Sequence, residues 1–325
     1  MSKMLAVYAA HVRRAVAAGS RPNWSSHIAQ AIASILVFGV LICAEPAAAQ
    51  FIQQGAKLVG TGAVGPDALQ GWSVALSADG NTAIVGGPGD SGSGGSTGLG
   101  AAWVFTQSGG VWSQQGSKLV GTGAIGTSNQ GFSVALSGDG NTAIVGGPYD
   151  NSYTGATWVF TQSGGVWTQQ AELIGTGNVG TAEQGYSVAL SADGATAIVG
   201  GFYDNDGVGA AWVFTRSGGV WSQQTKLVGT EALGTPRQGW SVALSSDGNT
   251  AIVGGYGDNS FTTGAAWVFT QSGGTWTQQT KLVGTGVVGA EANQGWSVAL
   301  SSDGNTAIVA DPSTTRRSER RGSSP

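Results

Sequence analysis

After residue 50 the apolar positions run in short blocks or alternate at a period of two, and no window carries a capped pattern of helical length. In residues 70–87 (QGWSVALSADGNTAIVGG), Trp72, Val74 and Leu76 fall on one face of a predicted strand. Asp79-Gly80 then predicts a two-residue type I′ turn, and residues 82–85 return as a second strand. A Gly-, Ser- and Asp-rich loop leads to a third strand at 101–106 (AAWVFT), and Ser108-Gly109-Gly110 turns it into a fourth over 111–120.

The same block returns at Gln130, Gln184, Gln238 and Gln294, so that Asp79, Asp139, Asp193, Asp247 and Asp303 lie 60, 54, 54 and 56 residues apart. One such unit cannot bury both faces of its own sheet and must stack on neighbours. A period this long with four strands per unit predicts an all-β fold, a β-propeller of about five four-stranded blades. The fifth blade is incomplete, because Ala310-Asp311-Pro312 and an arginine-rich tail replace the expected GGP and AAWVF. Residues 51–60 carry the fourth-strand pattern (QQGAKLVG beside QQGSKLVG at Gln114), which predicts a strand that clasps the ring shut. An unfilled place in the last blade would leave an open edge through which chains self-associate.

Residues 1–49 stand apart: Arg13, Arg14 and Arg21 precede an apolar run over 31–44, and Ala47-Ala48-Ala49 supplies small residues for cleavage before Gln50. This predicts a signal peptide at 1–49, the repeat domain at 50–310, and a disordered basic tail at 311–325. The run is shorter than the ~20 residues of a membrane span, so no span is expected after cleavage and the mature chain is placed in the periplasm or outside the cell. Cleavage removes Cys43, His11 and His27, the only cysteine and histidines of the chain. Thiol nucleophiles, imidazole bases and His/Cys zinc sites go with them. Over residues 50–310 there are 15 acidic against 6 basic side chains, a net of −9, which repels phosphate backbones and excludes nucleic acid as a partner.

The repeated QGWSVAL, turn, AIVGGP, Gly-rich loop and GAAWVF resemble the FG-GAP repeat of integrin α-subunit heads and many exported bacterial proteins. Its "FG" falls at Gly71-Trp72, Gly131-Phe132, Gly185-Tyr186, Gly239-Trp240 and Gly295-Trp296, and its "GAP" at Gly86-Gly87-Pro88 and Gly146-Gly147-Pro148. The resemblance implies a propeller that often holds calcium in an Asp-rich loop between the first two strands. Here that loop has shrunk to one carboxylate, as at Asp79, too few oxygens for calcium. No cofactor is expected. Asp204 and Asp206 are the remaining metal candidates, as the one place where two carboxylates lie close in the chain.

GTGAVG at Gly60 and its copies match G-x-G-x-x-G, but a strand rather than a helix follows, so no nucleotide site is predicted. Trp103, Trp158, Trp212 and Trp267 in third strands, and Trp112, Trp167, Trp221 and Trp276 opening fourth strands, are assigned to packing between blades. In an up-and-down blade the tight turns share one rim, while the Asp/Asn loops and the longer connectors share the other. That variable rim is the expected binding face, with Asp90, Tyr149, Asp150, Tyr153, Tyr203, Asn205, Tyr256, Asp258 and Phe261 as its candidates. The functional expectation is an exported, non-catalytic module binding protein or glycan there. The alternatives are a structural or vestigial repeat array and, more weakly, a carboxylate-dependent glycoside hydrolase.

Overall fold

A computed structural model describes residues 53–92, 98–285 and 292–312. The predicted leader, cleavage point and most of the basic tail lie outside these residues. Eighteen strands occur among the described residues, in the order the repeats predict. The first blade holds β1 (Ser73–Leu76), β2 (Thr82–Gly87), β3 (Ala101–Ser108) and β4 (Val111–Gln114). The second holds β5 (Ser133–Leu136), β6 (Thr142–Gly147), β7 (Ala156–Ser163) and β8 (Val166–Leu173). The third holds β9 (Ser187–Leu190), β10 (Thr196–Gly201), β11 (Ala210–Ser217) and β12 (Val220–Leu227), and the fourth β13 (Ser241–Leu244), β14 (Thr250–Gly255), β15 (Ala265–Ser272) and β16 (Thr275–Leu282). Each of these four is an antiparallel meander in sequence order, and β17 (Ser297–Leu300) with β18 (Ala307–Ala310) forms a two-stranded fifth sheet.

The first strands β1, β5, β9, β13 and β17 neighbour one another in turn, which makes them the innermost strands of the array. Blades are fastened at both ends of this inner row. On the loop side Ser73, Ser133, Ser187 and Ser241 donate their hydroxyls to the carbonyls of Gly131, Gly185, Gly239 and Gly295 in the next blade, at 2.7–2.8 Å. On the turn side backbone N–H groups of Ala78, Gly138, Ala192 and Ser246 each donate to the following blade at 2.8–2.9 Å.

The core lies between blades and is built on the third-strand tryptophans, all four fully buried. Each indole donates from Nε1 to the carbonyl of the Thr in its blade's entry connector, as from Trp212 to Thr176 at 2.9 Å. In the first four blades the first glycine of the connector motif lies flat under the ring: a Cβ on Gly175 would stand 2.2 Å from Trp212 Cδ1. The first glycine of that motif therefore answers to an indole and not to a phosphate.

Two local expectations are corrected. The hairpin turn is not type I′, because Gly80 has φ of +72° while Asp79 has no positive φ. Gly80 N–H instead donates to Ser77 C=O, a type I turn closed by a left-handed glycine. Asp79 caps the turn itself, accepting from Ser77 Oγ at 2.6 Å and Asn81 N–H at 2.9 Å. The Ser77 hydroxyl foremost, then Asn81, hold its carboxyl below the usual aspartate range.

The clasp is the second correction. Residues 53–60 form no strand; Leu58 packs against the Trp103 cluster and Gly60 lies under that indole. The outward faces at both ends are open. Val74 and Leu76 are 69% and 61% exposed, whereas Val134 and Leu136, one blade inward, are each 8% exposed. At the other end Ile308 on β18 is also exposed. The described sheets form an arc of blades, with no seam closing β1 onto the fifth sheet. No helix among the described residues is long and apolar enough to cross a membrane.

Candidate functional site

The chain enters every inner strand from the variable rim through x-Gln-Gly-aromatic. The glutamine is a latch: Gln184 donates from Nε2 to Gly175 C=O at 2.9 Å and accepts from the same residue's N–H, and Gln130 and Gln238 do likewise while fully buried. With both ends of its amide satisfied, it fixes the aromatic that follows.

Those aromatics stand side by side at the rim end of the inner strands. Trp72, Phe132, Tyr186, Trp240 and Trp296 form an unbroken run with successive centroid distances of 5.5, 4.8, 4.6 and 4.8 Å. Tyr149, Phe202 and Tyr256, from the starts of the second-to-third-strand loops, pack on this run at 4.5–6.1 Å. Outside them lie Tyr153, Tyr203 and Phe261. Between Trp72, Phe132, Tyr149 and Tyr186 there is a cleft of about 260 Å³. A larger hollow of about 380 Å³, lined by Leu58, Phe105 and Trp112, lies away from the aromatic run.

The loops carrying the outer rings are backbone-strained. Asn151, Ser152 and Tyr153 have φ of +46°, +55° and +70°, and Asn259, Ser260 and Phe261 repeat the run at +54°, +56° and +64°. Left-handed conformation costs a non-glycine residue roughly 1–2 kcal/mol, and residues held this way cluster at functional sites.

The position before the glutamine breaks the repeat. It is Leu69, Asn129, Glu183 and Arg237 in successive blades, all with φ of 56–58°. Burial, partly opposed by Arg237, pushes the Glu183 carboxyl up to about 7. The Arg237 guanidinium stands 5.4–6.0 Å from the ring centres of Phe202, Tyr203, Tyr256 and Phe261, and its buried Nε has no hydrogen-bond partner among the described residues. A neutralisable acid and an arginine caged by aromatics thus adjoin the ring run.

The predicted rim residues divide into two groups. Tyr149, Tyr153, Tyr203, Tyr256 and Phe261 join the aromatic assembly, and Asn205 is exposed on its left-handed turn. Asp90, Asp150, Asp204 and Asp258 are instead buried inside their loops, where each accepts from a connector N–H (Val64, Ile125, Val179, Leu233) at 2.7–2.8 Å. Three of them are also ion-paired: Asp90 with Lys118, Asp204 with Lys226 at 2.6 Å and Asp258 with Lys281 at 2.7 Å. They are loop braces rather than a rim surface. Asp204 is thereby separated from its role beside Asp206 as a metal ligand: its charge is already met by an ammonium, while Asp206 lies exposed. No group of three or more His, Cys, Asp or Glu among the described residues is placed to hold a metal ion.

Sequence reasoning missed Glu183 and Arg237. Their signal was present, since that position changes in charge from blade to blade beside a nearly constant block, but such a change reads as loop drift until the inner strands bring the blades together.

The sequence model for the FG-GAP repeat matches residues 221–269, from β12 through β15. One unit of the array thus matches the FG-GAP repeat, and the other copies share its block. No curated protein matches the FG-GAP array along its sequence. Among solved structures it is similar to a Bacteroides uniformis protein named as a candidate 6-phosphogluconolactonase, with 16% identity and a TM-score of 0.50 over 74% of this chain and 64% of that one. A periplasmic gluconolactonase of Pseudomonas aeruginosa gives 18% identity and a TM-score of 0.48 over the same shares. The array thus covers less than two thirds of either protein. The expectation that the chain is not an enzyme is corrected by the first of these neighbours, a propeller named as a candidate lactonase. At Glu183 an acid breaks the repeat, where the neighbouring blades carry Asn129 and Arg237.

Proposed function

We propose that the FG-GAP array acts outside the cytoplasm and binds a glycan on the aromatic end of its inner strands. The unbroken run from Trp72 to Trp296, flanked by Glu183 and Arg237, carries this reading. Recognition of a sugar needs broad apolar surface for the C–H faces of its rings and a few directional polar groups for its hydroxyls, and both converge here. The basic and apolar residues of the leader support export. On a glycan array the chain is expected to bind a limited set of sugars, with affinity falling about tenfold or more in Trp240→Ala and in Trp72→Ala. Trp72 is more than half exposed at the end of the run, so its loss tests recognition without emptying a core. Retained sugar binding in both variants, or an array that stays blank while protein ligands bind, overturns the reading.

Glu183 favours a second reading, in which the bound sugar derivative is a lactone and the carboxylate accepts a proton from the attacking water. A group that ionises at about 7 is poised for that transfer near neutrality. Hydrolysis of gluconolactone is then expected to rise with pH through about 7 and to vanish in Glu183→Gln. Turnover unchanged in that variant, or no turnover at all, rejects it.

A further inference from the structure

In three blades the loop aspartate is neutralised by a lysine at the end of the fourth strand or, for Lys118, just past it, and the lysine side chains remain 12–20% exposed, so each ammonium sits in a socket reached from solvent. The socket has the same walls wherever its contacts are drawn. Lys226 Nζ meets Asp204, donates to Gly177 C=O at 2.7 Å and lies 5.2 Å from the Trp212 ring centre. Lys281 Nζ meets Asp258, donates to Glu231 C=O at 2.7 Å and lies 5.5 Å from Trp267.

The second blade keeps the walls and lacks the cation. Asp150 is 1% exposed, and its Oδ1 accepts from Ile125 N–H as in the sister blades. Its other oxygen is the one whose counterpart takes the ammonium in the sister blades. Trp158 and the backbone of Gly123 occupy the places of Trp212 and Gly177. At the lysine position stands Glu172, paired in register with Trp158 as Lys226 is with Trp212. The Glu172 carboxylate lies against Gly123, with Oε2 2.4 Å from where a Cβ would be.

We infer that this second-blade socket binds a primary alkylammonium group from outside the chain, held by Asp150, Glu172, the Gly123 carbonyl and the face of Trp158. Two internal copies show that the same aspartate, connector carbonyl and indole accept an NH3+ group, a third shows the aspartate doing so, and the added glutamate doubles the negative charge offered to it. Burial holds both the Asp150 and the Glu172 carboxyls above their usual range, the latter also through the nearby Asp150, so an unfilled socket favours a proton and a filled one releases it.

The probe is n-butylammonium, which matches the end of a lysine side chain, measured by calorimetric titration and by the melting temperature of the full chain. Saturable binding that weakens as the pH is lowered is expected, with tetramethylammonium, which cannot donate a hydrogen bond, giving none. Glu172→Lys installs the tethered ammonium of the sister blades and is expected to melt higher than the parent and to lose the response to n-butylammonium. Glu172→Gln, which keeps the shape, is expected to bind about tenfold more weakly. Tighter binding of Nα-acetyl-lysine methylamide than of n-butylammonium identifies a protein side chain as the source; equal binding identifies a free amine. Calcium binding in place of the amine, an equal response in Glu172→Lys, or no response in the parent overturns the inference.

Discussion

Replacing Trp212 by alanine is expected to destabilise the chain by about 3–5 kcal/mol, the largest single-residue effect in the array. The indole is fully buried between the second and third blades, in one cluster with Val159, Leu173, Val199 and Phe214. Its removal empties a cavity whose floor is backbone: Gly175 lies beneath Cδ1 and Gly201 against Cζ3. Neither glycine has a side chain to move into the space, so relaxation recovers little. The Thr176 carbonyl also loses its 2.9 Å donor. Trp221→Ala is the control, because that ring is half-buried on β12 and its Nε1 makes no hydrogen bond among the described residues. Its cost is expected near 1 kcal/mol, in the ordinary range for a partly buried side chain. Urea unfolding of both variants settles the comparison, and equal midpoints would show that the third-strand tryptophans do not carry the blade interface.

Lys226→Met is expected to cost about 3 kcal/mol, toward the low end of the range for breaking a buried ion pair because the ammonium keeps some access to water. Methionine preserves the stem over Trp212 and removes only the charge, leaving Asp204 ionised in a site where it is 2% exposed. The Gly177 carbonyl loses its donor at the same time. Converting Asp204 to Asn in the same chain removes the stranded charge and keeps an oxygen for Val179 N–H, so the double variant is expected to regain at least half of the loss. A double variant no more stable than Lys226→Met alone would place the cost in lost packing instead. The same measurement on Glu172→Lys runs in the opposite direction, since there the charge is restored rather than removed.

Much of the architecture was legible in the chain because the repeat states each rule five times. The block around Trp72 to Val85 specifies two strands, their turn and the face each residue takes, and the alternation of AAWVF places its tryptophan on a buried face. Blade order follows, since a meander joined by short links leaves few other ways to stack. The open edge of the fifth sheet was legible in its missing third strand, but the missing clasp was not: residues 53–60 carry the fourth-strand pattern, yet a strand needs a partner, and the described fifth sheet stops at two strands.

The sequence by itself determined the strands, the repeat and the family resemblance, because these depend on neighbours within a few residues and on exact recurrence. Only the tertiary structure decided which variable residues belong together. Glu183 and Arg237 are 54 residues apart in the chain and occupy equivalent positions in adjacent blades, where burial and the aromatic cage give them a chemistry that neither local stretch encodes. The loop aspartates illustrate the same limit. Asp150 and Asp204 share nearly the same local sequence, yet one faces Glu172 and the other Lys226, because the partner arrives from the far end of the fourth strand and its charge is set there.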